Sequence, residues 1–118
     1  MRRGTSPQVG GVRMDTRMHT RHCLRPTKEI VTRYLDPADD YAWGDFRQDY
    51  LALLRSRFES DPRPFEDLAE RARQEDVYLG CSCPTKKNPD VRHCHTMLAL
   101  EFMAKKFPRL KAVFPEAG

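Results

Sequence analysis

Residues 77–107 read VYLGCSCPTKKNPDVRHCHTMLALEFMAKKF, and this stretch decides the fold. Val77-Tyr78-Leu79-Gly80-Cys81 is a short apolar run with β-branched and aromatic character, the pattern of a buried strand. From Thr96 to Phe107, the residues Met97, Leu98, Leu100, Phe102, Met103 and Phe107 predict a helix that is apolar on most sides and therefore largely buried. Pro108 ends it. Lys111-Ala112-Val113-Phe114 then reads as a final short strand. Strand, helix, strand in that order predicts a βαβ unit over residues 77–114, right-handed where the two strands run parallel. Two strands alone make a poor sheet, so the N-terminal segment or a partner must donate another.

Working outward, the acidic middle of the chain predicts helices. Trp43, Phe46, Tyr50, Leu53, Leu54 and Phe58 lie mostly three and four apart and form a broad apolar stripe. Asp39, Asp40 and Asp45 crowd its N-terminal end, and Arg55 and Arg57 its C-terminal end, which complements the helix dipole. A shorter helix is predicted after Pro26, with Thr27 as N-cap and Ile30, Val31 and Tyr34 on one face. Asp61-Pro62-Arg63-Pro64 punctuates the chain, and Phe65, Leu68, Ala69 and Ala72 line a further short helix ending near Gln74. Residues 1–20 have no periodic apolar pattern and read as a poorly ordered or atypical N-terminal segment, with at most one weak strand near Val12–Thr16. Residues 21–118 are expected to form a single small α/β domain, about four helices around a minimal parallel sheet.

The 118 residues suit one domain with a modest core, since only 39% are hydrophobic. No run approaches the roughly 18 apolar residues of a membrane span. The basic start, Met1-Arg2-Arg3, is followed by no apolar core of a secretion signal, so the expected location is cytoplasmic and the four cysteines are expected as reduced thiols. The net charge of +4 is segregated. Residues 1–35 carry eight Lys/Arg and two Asp/Glu; residues 36–79 carry six and twelve; residues 80–118 carry seven and three. That pattern, with no aromatics interleaved among the basic residues, does not favour a nucleic-acid binder.

Three of the four cysteines and two of the four histidines fall between Cys81 and His95. Cys81 and Cys83 are two apart, so on extended chain they share one face, at the carboxyl end of the strand where open α/β sheets bind ligands. Cys94 and His95 are expected at the N-cap and first turn of the next helix, where free amides and the dipole stabilise a thiolate or an anion. Residues at both edges of the ten-residue connection between Cys83 and Cys94 should therefore meet across one crevice.

Three chemistries fit this Cys/His-rich site. Cys81, Cys83, Cys94 and His95 make a three-thiolate, one-imidazole zinc set, although the C-x-C spacing is not the usual pair. Lys86, Lys87 and Arg92 on the rim, with Thr96, suit an anion such as a phosphate-containing small molecule. A cysteine-dependent enzyme would use Cys94, with His93 or His95 as its base. Against all three stands plain packing, because cysteine is among the most buried residue types. The zinc- or anion-binding module is the most concrete reading, and enzyme and packing are its alternatives.

The ordered set of features from Leu24 to Phe114 resembles the family catalogued as domain of unknown function 488. It consists of Pro26-Thr27 before a helix, the aromatic run from Trp43 to Tyr50, the helix from Phe65 to Ala72, the cysteine-ended strand Val77 to Cys81, and the pair Cys94-His95 opening the last helix. The resemblance implies an α/β fold and the position of a site, and no reaction. Two departures from the family pattern stand out: Thr96 follows the Cys-His pair where many members have arginine, and residues 1–20 replace the usual opening strand and turn with an unfamiliar sequence.

Overall fold

A computed structural model describes residues 1–3, 12–36, 38–80 and 93–114. Three short strands and four helices follow one another as β1 (Arg2–Arg3), β2 (Val12–Asp15), α1 (Lys28–Leu35), α2 (Trp43–Ser60), α3 (Arg63–Gln74), β3 (Val77–Gly80) and α4 (His95–Lys106). The fold is the small α/β domain that the pattern predicts. All strand pairs are parallel, in the order β1-β3-β2, with Arg2 opposite Tyr78 and Val12 opposite Val77.

The central strand is β3, and both of its neighbours come from the N-terminal segment. Within residues 1–20, where the sequence allows one weak strand near Val12–Thr16, Val12–Asp15 form an edge strand and Thr16, which follows, is fully buried. Only four residues pair there, too few for a periodic signal, so partner backbone rather than local pattern makes the strand. The stretch expected as a last strand is a single bridge, Val113 to Arg2, and it lies beside β1 rather than β3. The sheet position next to β3 is already taken by β1, so the unit spanning residues 77–114 skips one strand.

Three of the helices start for a legible reason. The Thr27 hydroxyl accepts from the Ile30 amide and caps α1. The Asp45 carboxylate reaches back to the Ala42 amide at 2.9 Å and holds the first turn of α2. Pro64 stands in the first turn of α3, where its missing N–H leaves no bond unmade. Helix α4 is the buried one: Leu98, Ala99, Leu100 and Met103 have no exposed surface, and Val77 and Leu79 of β3 are equally enclosed. At roughly 1.5–3 kcal/mol for each large apolar side chain removed from water, this layer is the main source of stability.

Helix α2 also fastens the loop between β2 and α1. The Tyr50 hydroxyl donates to the Leu24 carbonyl at 2.6 Å, and Arg57 Nη1 donates to the carbonyls of Cys23 and Arg25 at 2.9 and 2.6 Å. An aromatic seam runs along the start of α2, where Trp43, Phe46 and Tyr50 stack in succession and Tyr34 of α1 leans on the first two. Among the described residues no helix is long and apolar enough to cross a membrane.

Candidate functional site

The carboxyl ends of β2 and β3 and the start of α4 meet at one edge of the sheet, and Thr16 joins them. Its amide and its hydroxyl both donate to the Gly80 carbonyl, at 3.0 and 2.9 Å. Its Oγ1 also lies 2.8 Å from His95 Nε2. A hydroxyl has one proton, and here it goes to Gly80, so the contact with His95 is a donation from Nε2–H into the threonine oxygen. The imidazole therefore carries a proton on Nε2. Thr16 and Thr96 are fully buried and His95 is 9% exposed. The His95 ring stands edge-on to Tyr50, with centroids 5.9 Å apart.

Cys94 is the N-cap of α4 in extended backbone, and its thiol is 2% exposed. The Thr96 hydroxyl donates to its sulfur at 3.2 Å. Burial holds the nearby Tyr50 phenol well above its ordinary pKa, so it remains a donor to Leu24 throughout the physiological range. The two histidines that flank Cys94 diverge: His95 turns inward to Thr16, while His93 stacks on Trp43 at 4.8 Å. Cys23, the other described cysteine, is not in a disulfide.

Charge gathers at the same edge. The end of the Arg13 side chain lies within 2.9–3.0 Å of the point where a Cβ on Gly80 would be, so the guanidinium packs against the glycine at the end of β3 and a side chain there would shift it. Asp15, the last residue of β2, is gripped by Arg17 through Nε and Nη2 at 2.7–3.1 Å. That grip holds its carboxyl far below the usual carboxylate range.

Of the residues singled out by sequence, the structure brings Cys94, His95 and Thr96 together at this edge, with His93 beside them on Trp43. Cys81, Cys83, Lys86, Lys87 and Arg92 lie outside the described residues. Among the described residues no three Cys, His, Asp or Glu side chains are grouped to hold a metal ion. Thr16, Arg13 and Tyr50 were not anticipated as parts of the site. The weak strand pattern ending at Thr16 was the available signal, since the residue after a parallel strand lies at the ligand-binding edge.

The chain belongs to the DUF488 family: residues 7–107 match the model of the active DUF488-N3 subclade. No curated protein and no solved structure matches it.

Proposed function

We propose that the chain is a cysteine-dependent enzyme acting on a phosphate-containing small molecule at the edge formed by the ends of β2 and β3 and the start of α4. The observation that carries this reading is the Thr16 hydroxyl, which ties the Gly80 carbonyl at the end of β3 to the His95 ring at the start of α4. Cys81 follows Gly80 directly in the sequence and Cys83 comes two residues later, so the C-x-C pair is the source of thiols nearest to that edge along the chain. Cys94, at 2% exposure and with a hydroxyl on its sulfur, is better suited to forming the wall of the site than to attack. The reactive thiol is therefore assigned to Cys81 or Cys83 rather than to Cys94. Arg13, the α4 N-terminus and the basic residues Lys86, Lys87 and Arg92 supply the anion preference. The description of the matched subclade as active favours enzyme over passive module. A reducing, cytoplasmic setting belongs to the same reading, because the chemistry needs free thiols.

The test is timed alkylation with iodoacetamide across pH, followed by mass mapping, for the parent chain and for Cys81→Ser, Cys83→Ser and Cys94→Ser. One thiol of the C-x-C pair should react fastest, with an apparent pKa below the ordinary free-thiol value of about 8.5, and inorganic phosphate should slow it. Thiols that react only in denaturant would sink the proposal. Near-stoichiometric zinc in the purified protein would replace it with a metal module built on Cys81, Cys83, Cys94 and His95.

A further inference from the structure

We infer that a second anion site, separate from the sheet edge, lies in the groove between the loop preceding α1, the C-terminal half of α2 and the start of α3, and that it takes an organic anion: a phosphate or carboxylate head on a flat apolar body. The groove holds about 380 Å³. Three guanidinium groups line it, those of Arg21, Arg25 and Arg57, together with the hydroxyls of Ser56 and Ser60.

Charge balance leaves these three arginines open to an anion. Seven other described arginines each stand within 4 Å of a carboxylate. Among the described residues none of the three in the groove does. The one carboxylate in the lining, Asp61, already accepts from the Arg63 amide and Nε at 3.2 and 3.1 Å. Cys23, also in the lining, brings no negative charge, because burial pushes its thiol up to about 11. Burial first, and then the charge of Arg25, weakens the hold of Arg57 on its proton. An anion between these guanidinium groups would relieve that repulsion.

Two of the arginines are also held in place. Arg57 Nη1 is anchored on the carbonyls of Cys23 and Arg25, and Arg25 Nη1 on that of His22 at 3.0 Å. Anchoring one end of a guanidinium lowers the ordering entropy of binding through the rest. A planar fork matches the oxygen pair of a phosphate or carboxylate, which a lysine cluster would not do. The remaining lining is apolar, from Pro64, Phe65 and the Cys23 side chain, and it receives the body of the ligand rather than a second charge.

The experiment titrates phenyl phosphate, inorganic phosphate and benzyl alcohol into the full chain and follows backbone amide shifts by NMR. Phenyl phosphate should shift the amides of Ser56 to Asp61 and bind several-fold more tightly there than inorganic phosphate, while benzyl alcohol leaves them unmoved. Arg21→Gln with Arg25→Gln should weaken that binding by about tenfold and leave any shifts at Cys94 to Met97 unchanged. Arg57 is left intact because it anchors the loop. Phenyl phosphate shifts confined to the α4 start would overturn this inference while supporting the proposed enzyme site. Shifts at Ser56 to Asp61 that survive the double substitution, or that benzyl alcohol reproduces, would overturn it too. Loss of the α4 shifts alone would count only against the enzyme site.

Discussion

The aromatic seam on α2, buried at Phe46 and Tyr50 and half-buried at Tyr34 and Trp43, and the buried polar knot at the sheet edge hold by opposite means. In the seam, Tyr34, Trp43, Phe46 and Tyr50 meet ring to ring at centroid distances of 5.3–5.9 Å. Its contribution scales with area and tolerates changes of shape. In the knot, Thr16, Gly80 and His95 share two short bonds, and Thr96 and Cys94 a third. Its contribution depends on direction and on every polar atom keeping its partner. Tyr50 belongs to both, with its ring in the seam and its edge-on contact to His95. The seam supplies stability, and the knot fixes where the strand end and the helix start sit relative to one another.

The largest expected effect comes from breaking the seam. Phe46 is 4% exposed and touches three other rings, so Phe46→Ala should destabilise the fold by about 3–5 kcal/mol in urea unfolding. Phe46→Leu should retain most of that. A loss as large for leucine as for alanine would mean that ring geometry, and not buried area, holds the seam.

Tyr50→Phe separates the ring from its hydroxyl. The aromatic contacts persist, but the Leu24 carbonyl loses its donor at 2.6 Å inside the protein. The expected cost is about 1–3 kcal/mol, read from the urea midpoint at unchanged slope. Because the hydroxyl reaches across to the loop before α1, amide exchange in residues 22–26 should speed up more than in α4. Equal acceleration in both places would show that the bond acts through global stability alone.

The difference between seam and knot also explains what could be read in the sequence. Spacings of three and four along residues 43–58 repeat often enough to predict α2 without its surroundings, and Thr27 and Pro64 mark helix starts by local chemistry. The meeting of Gly80 with the start of α4 was legible too, because a strand and the helix after it converge at the carboxyl end of the strand. Thr16 was not legible as the link. Its role depends on β2 lying beside β3 across a sequence separation of 64, and nothing local to Met14-Asp15-Thr16-Arg17 encodes that. Arg13 was hidden for the same reason, since its fit over Gly80 exists only once the two strands are in register. The closing strand at Lys111–Phe114 was over-read: its apolar pair shortens to one bridge because β1 occupies the place beside β3.

Within the knot, Thr16→Val is close to isosteric and removes only the hydroxyl. The backbone amide still serves the Gly80 carbonyl, but the Nε2–H of His95 loses its acceptor in a site 9% exposed. The expected loss is about 1 kcal/mol, at the low end for an unsatisfied buried donor, and Thr16→Ser should recover most of it. The sharper measurement is the nitrogen NMR spectrum of His95, which should show the proton on Nε2 in the parent chain. If the parent carries it on Nδ1, the threonine is donating to the ring and the bond directions described here are reversed.

The smallest effect concerns pH and lies between the two regions, at His22. Its Nδ1 accepts from the Leu24 amide at 3.1 Å, so Nε2 carries the proton and contacts the Met14 sulfur at 3.4 Å. Burial foremost, and then the charge of Arg25, depresses its pKa below the ordinary 6.5. A histidine with a depressed pKa binds fewer protons folded than unfolded, so stability rises with pH in the window between the two values. The contribution is fully present above about pH 7, where neither state is protonated. It declines as pH falls through about 6.5 towards the folded value, because the unfolded chain takes up the proton first. His22→Asn keeps an acceptor for the Leu24 amide and removes the titration. Urea midpoints measured from pH 7.5 to 5 should therefore fall more steeply for the parent chain than for the asparagine variant. Parallel curves would place the acid sensitivity elsewhere and mean that His22 titrates alike in the folded and the unfolded chain.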